Sequence, residues 1–133
     1  MYDKVKQAKT YQSTDAYSST AYADPHALIA KMFDGVLIRT AQARGAIEQG
    51  NIGVKAESLS KAVKIISALD ACLNPQDGGD IARNLSSLYE YMNLRLAEVN
   101  LENDLDKLDE VTGLLLQIKA GWTQISPLNR ASA

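Results

Sequence analysis

The chain carries few side chains that could do chemistry. It has one histidine, His26, and one cysteine, Cys72, among 133 residues. A catalytic triad needs a nucleophile, a base and an orienting group, and a zinc site needs three or four ligands. One histidine and one cysteine satisfy neither requirement. We therefore interpret His26 as a polar residue in the first turn of a helix and Cys72 as a small buried side chain.

The carboxylates and glycines provide no alternative site. A di-metal centre in a helical bundle needs Glu-x-x-His pairs on core-facing positions, and the sequence contains none. Gly78 and Gly79 lack the lysine and hydroxyl partners of a phosphate-binding loop. We therefore predict that the protein is not an enzyme and that it holds no metal and no cofactor.

The composition argues against several further classes of function. Fourteen Lys and Arg against sixteen Asp and Glu give a net charge of −2, so no basic excess exists for binding a nucleic acid. No stretch approaches the ~18 uninterrupted apolar residues of a membrane span, and the start of the chain lacks the pattern of a signal peptide. With 46% hydrophobic residues, we expect a soluble protein with a packed core in a reducing compartment.

From Asp24 almost to the end, apolar residues recur with a period of about 3.6, which is typical of amphipathic helices. Caps, glycines and prolines divide this region into four segments. The predicted helices run from Asp24-Pro25 to Gly50, from Asn51 or Gly53 to Asn74-Pro75, from Gly79 or Asp80 to a connection at 100–103, and from Asn103 or Asp104 to Ser126-Pro127, with a turn at 76–79 before the third.

These four segments predict an all-α fold, because no segment alternates like a strand. Short connections favour antiparallel neighbours, so we expect an up-down-up-down four-helix bundle over residues 24–126. Residues 127–133 are expected to form a disordered tail. Residues 1–23 are rich in hydroxyl groups and carry four of the six tyrosines. They are expected to form a flexible N-terminal arm, either without a role or covering an apolar surface.

The helices hold more apolar residues than a bundle core requires. Each of these extra residues taken alone is compatible with the core, but together they indicate a groove on the outside of the bundle where a partner helix could dock. The extra residues are Leu28, Phe33, Leu37, Ile38, Ile65, Leu114 and Leu116.

Blocks of residues along the whole chain resemble a known family. They are Met1-Tyr2, Asp24-Pro25-His26-x-Leu28-Ile29, Met32-Phe33-Asp34-Gly35, Glu48-Gln49-Gly50-Asn51-Ile52, Lys61-Ala62 with Ile65-Ile66, Gly78-Gly79-Asp80-Ile81-Ala82-x-Asn84-Leu85, Leu88-Tyr89-Glu90-Tyr91-Met92, Glu110-Val111, Leu114-Leu115 and Trp122. In this order and spacing they resemble the flagellin-export chaperones, the FliS family. Small departures are Asp24 in place of a frequent serine, Asn51 in place of an acid and Asn93 in place of a basic residue.

The resemblance implies a cytoplasmic bundle that binds the C-terminal segment of newly made flagellin. Such a chaperone prevents premature polymerisation and delivers flagellin to the flagellar type III export apparatus. The resemblance also implies that the arm around Ala8 and Tyr11 covers part of the groove until the client displaces it. An export-gate component or an anti-sigma factor is compatible as a further partner, and the sequence identifies neither.

The partner-binding residues are predicted on the apolar faces of the first three helices. Periodicity does not separate groove from core, so some of them are expected to be core residues. The alternative is a structural helical module that associates with itself through the same groove. The predicted residues are Ile29, Met32, Phe33, Val36, Leu59, Val63, Ile66, Ile81, Leu85, Leu88, Tyr89 and Met92.

Overall fold

The computed structural model describes residues 24–73 and 75–125, which form four helices. In chain order these are α1 (Pro25–Gln49), α2 (Ile52–Ala71), α3 (Pro75–Glu102) and α4 (Leu105–Gln124). No strand occurs in these two ranges, and the predicted all-α four-helix bundle is confirmed. The predicted arm with Ala8 and Tyr11, and the predicted tail at 127–133, lie outside the described residues.

The first helix and the turn after it follow the capping signals of the sequence. Asp24 caps α1, since its carboxylate accepts a hydrogen bond of 3.2 Å from the Ala27 N–H. Gly50 ends α1 in the left-handed region with a φ of 71°, which a residue with a Cβ adopts only at a cost. Asn51 then caps α2 by accepting from the Val54 N–H at 3.1 Å. The bundle therefore reverses direction within two residues.

The start of α3 differs from the prediction. Helix α3 consists of two helical stretches that meet at Gly79: the long stretch begins where predicted, at Gly79 or Asp80, and a short stretch from Pro75 replaces the predicted turn. Proline is well tolerated at the first position of a helix, and here it starts α3 as well as stopping α2. The expected break is present at Gly79, whose φ of 55° and ψ of −127° are not helical.

The connection after α3 is also shorter than predicted. The helix continues to Glu102, because residues 100–102 contain neither proline nor glycine. Asn103 ends it with a φ of 56°, and Asp104 caps α4. The two remaining ends fall slightly before their predicted prolines, at Ala71 for α2 and Gln124 for α4.

Contacts between helices establish the antiparallel order. Asp34 and Arg44 of α1 form ion pairs with Lys119 and Asp109 of α4, at 2.6 and 2.9 Å respectively. Increasing numbers on α1 thus meet decreasing numbers on α4. Helix α1 packs on α2 and α4, and α3 packs on the same two helices. The four helices form a ring with an up-down-up-down order.

Side chains from all four helices fill the core inside this ring. The largest fully buried side chains are each at most 1% exposed, and burying one such side chain stabilises the fold by roughly 1.5–3 kcal/mol. They include Phe33, Ile66, Met92, Leu96, Leu108 and Leu115.

A polar network closes the seam between α3 and α4. The Tyr91 hydroxyl donates to Glu110 at 2.7 Å and accepts from the Arg95 guanidinium at 2.8 Å. Arg95 also donates to Glu98 at 2.9 Å, and this hydrogen bond lowers the pKa of the Glu98 carboxyl. Lys107 lies 3.7 Å from the same carboxylate. These contacts fix α3 on α4 along their outer edge.

Candidate functional site: an apolar cavity at one end of the bundle

An open cavity of about 330 Å³ lies at the end of the bundle where α1 and α3 begin and α2 and α4 end. We call it the end cavity. Each of the four helices contributes apolar side chains to its lining, and Leu73 just beyond α2 and Ile125 just beyond α4 contribute two more. The apolar lining includes Ile29, Phe33, Leu69, Leu73, Ile81, Leu85, Tyr89, Ile118, Trp122 and Ile125.

The break in α3 lies next to the end cavity. Gly79 interrupts the helix, and Ile81, two residues later, lines the cavity with 72% of its surface exposed. A Cβ added at Gly78 would lie 2.8 Å from the Ala82 Cβ, so the chain needs a glycine there to pass this closely. The local sequence therefore leaves a large apolar side chain uncovered at the edge of the cavity.

The end cavity is suited to uncharged groups. None of its lining residues is charged, and Gln117 and Cys72 are among the few that bring polar atoms. Tyr89 lines the cavity and is only 3% exposed, and this burial, with Asp70 and Cys72 nearby, raises the pKa of its hydroxyl to about 12. A charged group entering the cavity would lose hydration without gaining a counter-charge.

Five of the predicted partner-binding residues meet at the end cavity. Ile29 and Phe33 come from α1, and Ile81, Leu85 and Tyr89 come from α3. They range from nearly buried to largely exposed, since Phe33 is 1% and Ile81 is 72% exposed. The structure thus brings together residues that lie up to 60 positions apart in the sequence (Ile29 and Tyr89).

The other predicted residues lie elsewhere. Val36, Ile66 and Met92 are 0% exposed and belong to the core, so a partner cannot reach them while the helices stay packed. Apolar residues recur with the same helical period at core positions as at groove positions, so the sequence did not separate the two. Met32 and Leu88 are partly buried against the core.

Two more predicted residues lie in a separate groove of about 390 Å³ between α2 and α3. Leu59 is nearly buried at 3% exposure, and Val63 is partly buried beside it. Leu96 and Ala97 of α3 line the opposite side. We call this the α2/α3 groove. It is a second apolar surface on the side of the bundle.

Sequence reasoning missed several residues of the end cavity. Leu69, Leu73 and Ile118 continue the apolar stripes of their helices, but were not predicted to bind a partner. Cys72, predicted to be buried, is exposed at the end of α2. The predicted antiparallel order would have identified these residues, because it places the starts of α1 and α3 beside the ends of α2 and α4.

His26 lies in the first turn of α1, as predicted, and it makes contacts with α4 that the sequence did not indicate. Its Nε2 lies 2.8 Å from the Trp122 carbonyl oxygen, and the Trp122 indole N–H donates to the His26 carbonyl at 3.0 Å. The two rings stack with their centroids 4.7 Å apart and their planes 14° apart. His26 therefore joins the start of α1 to the end of α4 beside the end cavity.

Residues 24–73 and 75–125 contain neither a candidate metal site nor a candidate membrane span. No group of three or more His, Cys, Asp or Glu side chains in these ranges is arranged to hold a metal ion. Over the same ranges, no helix combines the length and apolar character needed to cross a membrane.

Comparison with known proteins gives one consistent family. A family model described as "Flagellar protein FliS" matches residues 7–129. Flagellar secretion chaperone FliSB of Pseudomonas aeruginosa is 45% identical over 122 residues, which cover 92% of this chain and 97% of the relative. Flagellar secretion chaperone FliS of Salmonella typhimurium is 46% identical and covers 90% of this chain and 89% of the relative. The protein of that name from Bacillus subtilis is 32% identical, with 80% and 79% covered.

Proposed function

The chain belongs to the flagellar protein FliS family, and we propose that it is a secretion chaperone that binds the C-terminal segment of flagellin. Bound in this way, flagellin would not polymerise prematurely and could be delivered from the cytoplasm to the flagellar type III export apparatus. The observation that carries the proposal is the open end cavity, with its apolar and uncharged lining.

The physical properties of the end cavity suit this task. A disordered or helical client segment can place large apolar side chains in the cavity and bury them from water. Because the client becomes ordered on binding, part of the interaction free energy is lost as conformational entropy. The affinity per unit area is therefore modest, which allows the chaperone to release its client.

The proposed contacts fall on two surfaces. At the end cavity they are Ile29, Ile81 and Leu85, together with the nearly buried Phe33 and Tyr89, of which only the small exposed part can touch a client. Along the α2/α3 groove, which Leu59 and Val63 line, a helical part of the client could lay its apolar face.

We also propose that the arm around Ala8 and Tyr11 covers the end cavity before flagellin binds. The arm joins the bundle at Asp24, at the same end as the cavity. The thirteen residues from Tyr11 to Ala23 can span up to roughly 45 Å, so the arm is long enough to reach the cavity. Displacing it would lower the apparent affinity for flagellin in proportion to the fraction of open molecules.

Isothermal titration with a peptide of the flagellin C-terminal segment tests the proposal. Ile81→Glu places a charge at the edge of the end cavity on a residue that is 72% exposed, so it should leave folding intact. We expect it to weaken binding by tenfold or more, about 1.4 kcal/mol or above. The matched control is Leu94→Glu, because Leu94 lies on the same helix, is 63% exposed and does not line the end cavity.

Three outcomes of this titration would be informative. Equal affinities of Ile81→Glu and the wild-type protein would contradict binding at the end cavity. No heat and no heat-capacity change with the wild-type protein would contradict the proposed function as a whole. Deleting residues 1–17 should raise the affinity if the arm covers the cavity, and an unchanged affinity would contradict that role.

The alternative function is self-association through apolar surface. Large apolar side chains exposed outside the end cavity favour it, among them Ile52 at 74% and Leu101 at 84%. Light scattering over a range of protein concentrations separates the two functions. Oligomers that grow with concentration and are unaffected by the flagellin peptide would support self-association.

A further inference from the structure

The proposed contacts leave His26 and Trp122 without a role, although Trp122 lines the end cavity. These residues are the only histidine and the only tryptophan in the chain. His26 lies in the first turn of α1, two residues after Asp24, and Trp122 lies in the last turn of α4. The His26–Trp122 pair is thus placed where the described chain both begins and ends.

The hydrogen bonds of the pair fix the position of one proton. The Trp122 carbonyl oxygen accepts from the Ile125 N–H at 3.1 Å and lies 2.8 Å from His26 Nε2. A carbonyl oxygen only accepts hydrogen bonds, so Nε2 must carry a hydrogen. Each side chain therefore donates an N–H to the backbone carbonyl of the other residue. With the stacked rings, these bonds hold the indole in one orientation.

The pair differs from the other contacts between α1 and α4. Farther from the end cavity, α1 and α4 are joined by the ion pairs Asp34–Lys119 and Arg44–Asp109. Arg44 and Asp109 are 41% and 53% exposed, and exposed ion pairs contribute little to stability. Neither ion pair includes a residue that lines the end cavity. Among these three contacts, only the His26–Trp122 pair can control the shape of the cavity.

We propose that His26 is a positioning residue that holds the Trp122 indole as a fixed wall of the end cavity. The cavity is then formed before a client enters, and binding does not have to order the indole. Without His26, the indole could leave its stacked position and turn into the open cavity, where it would compete with the client. This inference rests on the proposed function, since the client is the flagellin segment.

Tryptophan fluorescence tests the orientation of the indole directly, because Trp122 is the only tryptophan. We compare His26→Ala, which removes both the ring and the donor, with His26→Phe, which keeps a ring for stacking. In His26→Ala, the emission should shift to shorter wavelength and acrylamide should quench it less, because the indole enters the apolar cavity. His26→Phe should show a smaller change, because stacking partly preserves the orientation.

Binding gives the second readout and is measured at a temperature where every variant is folded. His26→Ala should bind the flagellin peptide roughly tenfold more weakly, because the client binds only the fraction of molecules in which the indole has left the cavity. It should also bind the apolar dye anilinonaphthalene sulfonate more weakly. The matched control is Arg44→Ala, which loosens the same two helices at the opposite end and should keep the wild-type fluorescence and affinity.

The outcomes separate this inference from the proposed function. Wild-type fluorescence or wild-type dye binding in His26→Ala would overturn the positioning role, and so would an equal loss of affinity in Arg44→Ala. If the wild-type protein does not bind the flagellin peptide, the proposed function is contradicted. The fluorescence and dye measurements would then still decide whether His26 shapes the cavity.

Discussion

The two ends of the bundle are built from different interactions. At the end opposite the cavity, polar contacts occupy both turns, with caps from Asn51 and Asp104. There Lys55, only 8% exposed, donates to the Asn100 carbonyl at 3.0 Å and to Asn103 Oδ1 at 2.7 Å. We call this the closed end. At the other end, apolar side chains from all four helices line an open cavity.

This difference separates folding from binding. Polar contacts hold the closed end and the core joins the helices between the ends, while exposed lining residues of the end cavity such as Ile81, 72% exposed, are not part of the core. Their apolar surface stays available for a client and can be emptied again without loss of the fold. Regions that open for binding are commonly drawn from the less stable parts of a protein.

The largest expected effect is the loss of Lys55 at the closed end. Lys55→Met keeps the length of the side chain but leaves the Asn100 carbonyl and the Asn103 side chain without their donor. Hydrogen bonds from a charged group are the stronger ones, so we expect the free energy of unfolding in urea to fall by about 3 kcal/mol. Affinity for the flagellin peptide should stay within twofold of the wild-type value.

Lys64→Met is the control for Lys55→Met. Lys64 is an exposed lysine on the same helix, and its substitution should change the free energy of unfolding by less than ~0.5 kcal/mol. Equal stabilities of the two variants would show that the closed end does not depend on Lys55.

The second effect concerns the buried tyrosine of the end cavity. The pKa of Tyr89 is raised to about 12 from an ordinary value of 10.0, so the folded protein favours the neutral hydroxyl. The contribution of this group is complete below pH 10 and is lost as the pH rises through 12, which amounts to roughly 2–3 kcal/mol. Unfolding titrations from pH 9 to pH 12 should show a smaller decline in Tyr89→Phe than in the wild-type protein.

Parallel declines in the two proteins would contradict this role of Tyr89. Other groups that titrate above pH 10 are present in both proteins, so the difference between the two curves isolates Tyr89. Absorbance of the ionised phenol provides an independent check of its pKa.

A smaller effect is expected at the first turn of the closed end. Gly50 has a φ of 71° and no heavy atom within 4 Å of an added Cβ, so Gly50→Ala should cost only backbone strain, about 1 kcal/mol. Gly45 also has open space around it but lies inside α1, where alanine is favoured over glycine by roughly 0.5–1 kcal/mol. Thermal unfolding should therefore move in opposite directions for Gly50→Ala and Gly45→Ala. Shifts in the same direction would contradict the left-handed geometry of the turn.

The sequence was sufficient to predict the fold, because local signals act at short range. The predicted cap at Asp24 and the predicted left-handed end at Gly50 are confirmed, and of the two predicted starts of α2, Asn51 or Gly53, the structure shows Asn51 as the cap. Pro75 was predicted only to stop α2, but it also starts the short helical stretch that precedes Gly79. The pair Gly78-Gly79 indicated a break in this region, and the structure places the break at Gly79.

The site was only partly predictable, because periodicity describes one helix at a time. Ile81 and Met92 share the apolar face of α3, yet one is 72% exposed and the other 0%. What separates them is the distance from the bundle end, which follows from packing among four helices. The pairing of His26 with Trp122, 96 residues away, likewise depends on the antiparallel contact of α1 with α4.

The most direct test of the end cavity as the client site uses Cys72. This single cysteine is exposed and lines the cavity, so its rate of reaction with a thiol reagent reports on the cavity alone. A saturating flagellin C-terminal peptide that contains no cysteine should slow the labelling of Cys72 at least tenfold, while an unrelated peptide should not. An unchanged labelling rate with the flagellin peptide fully bound would contradict the account.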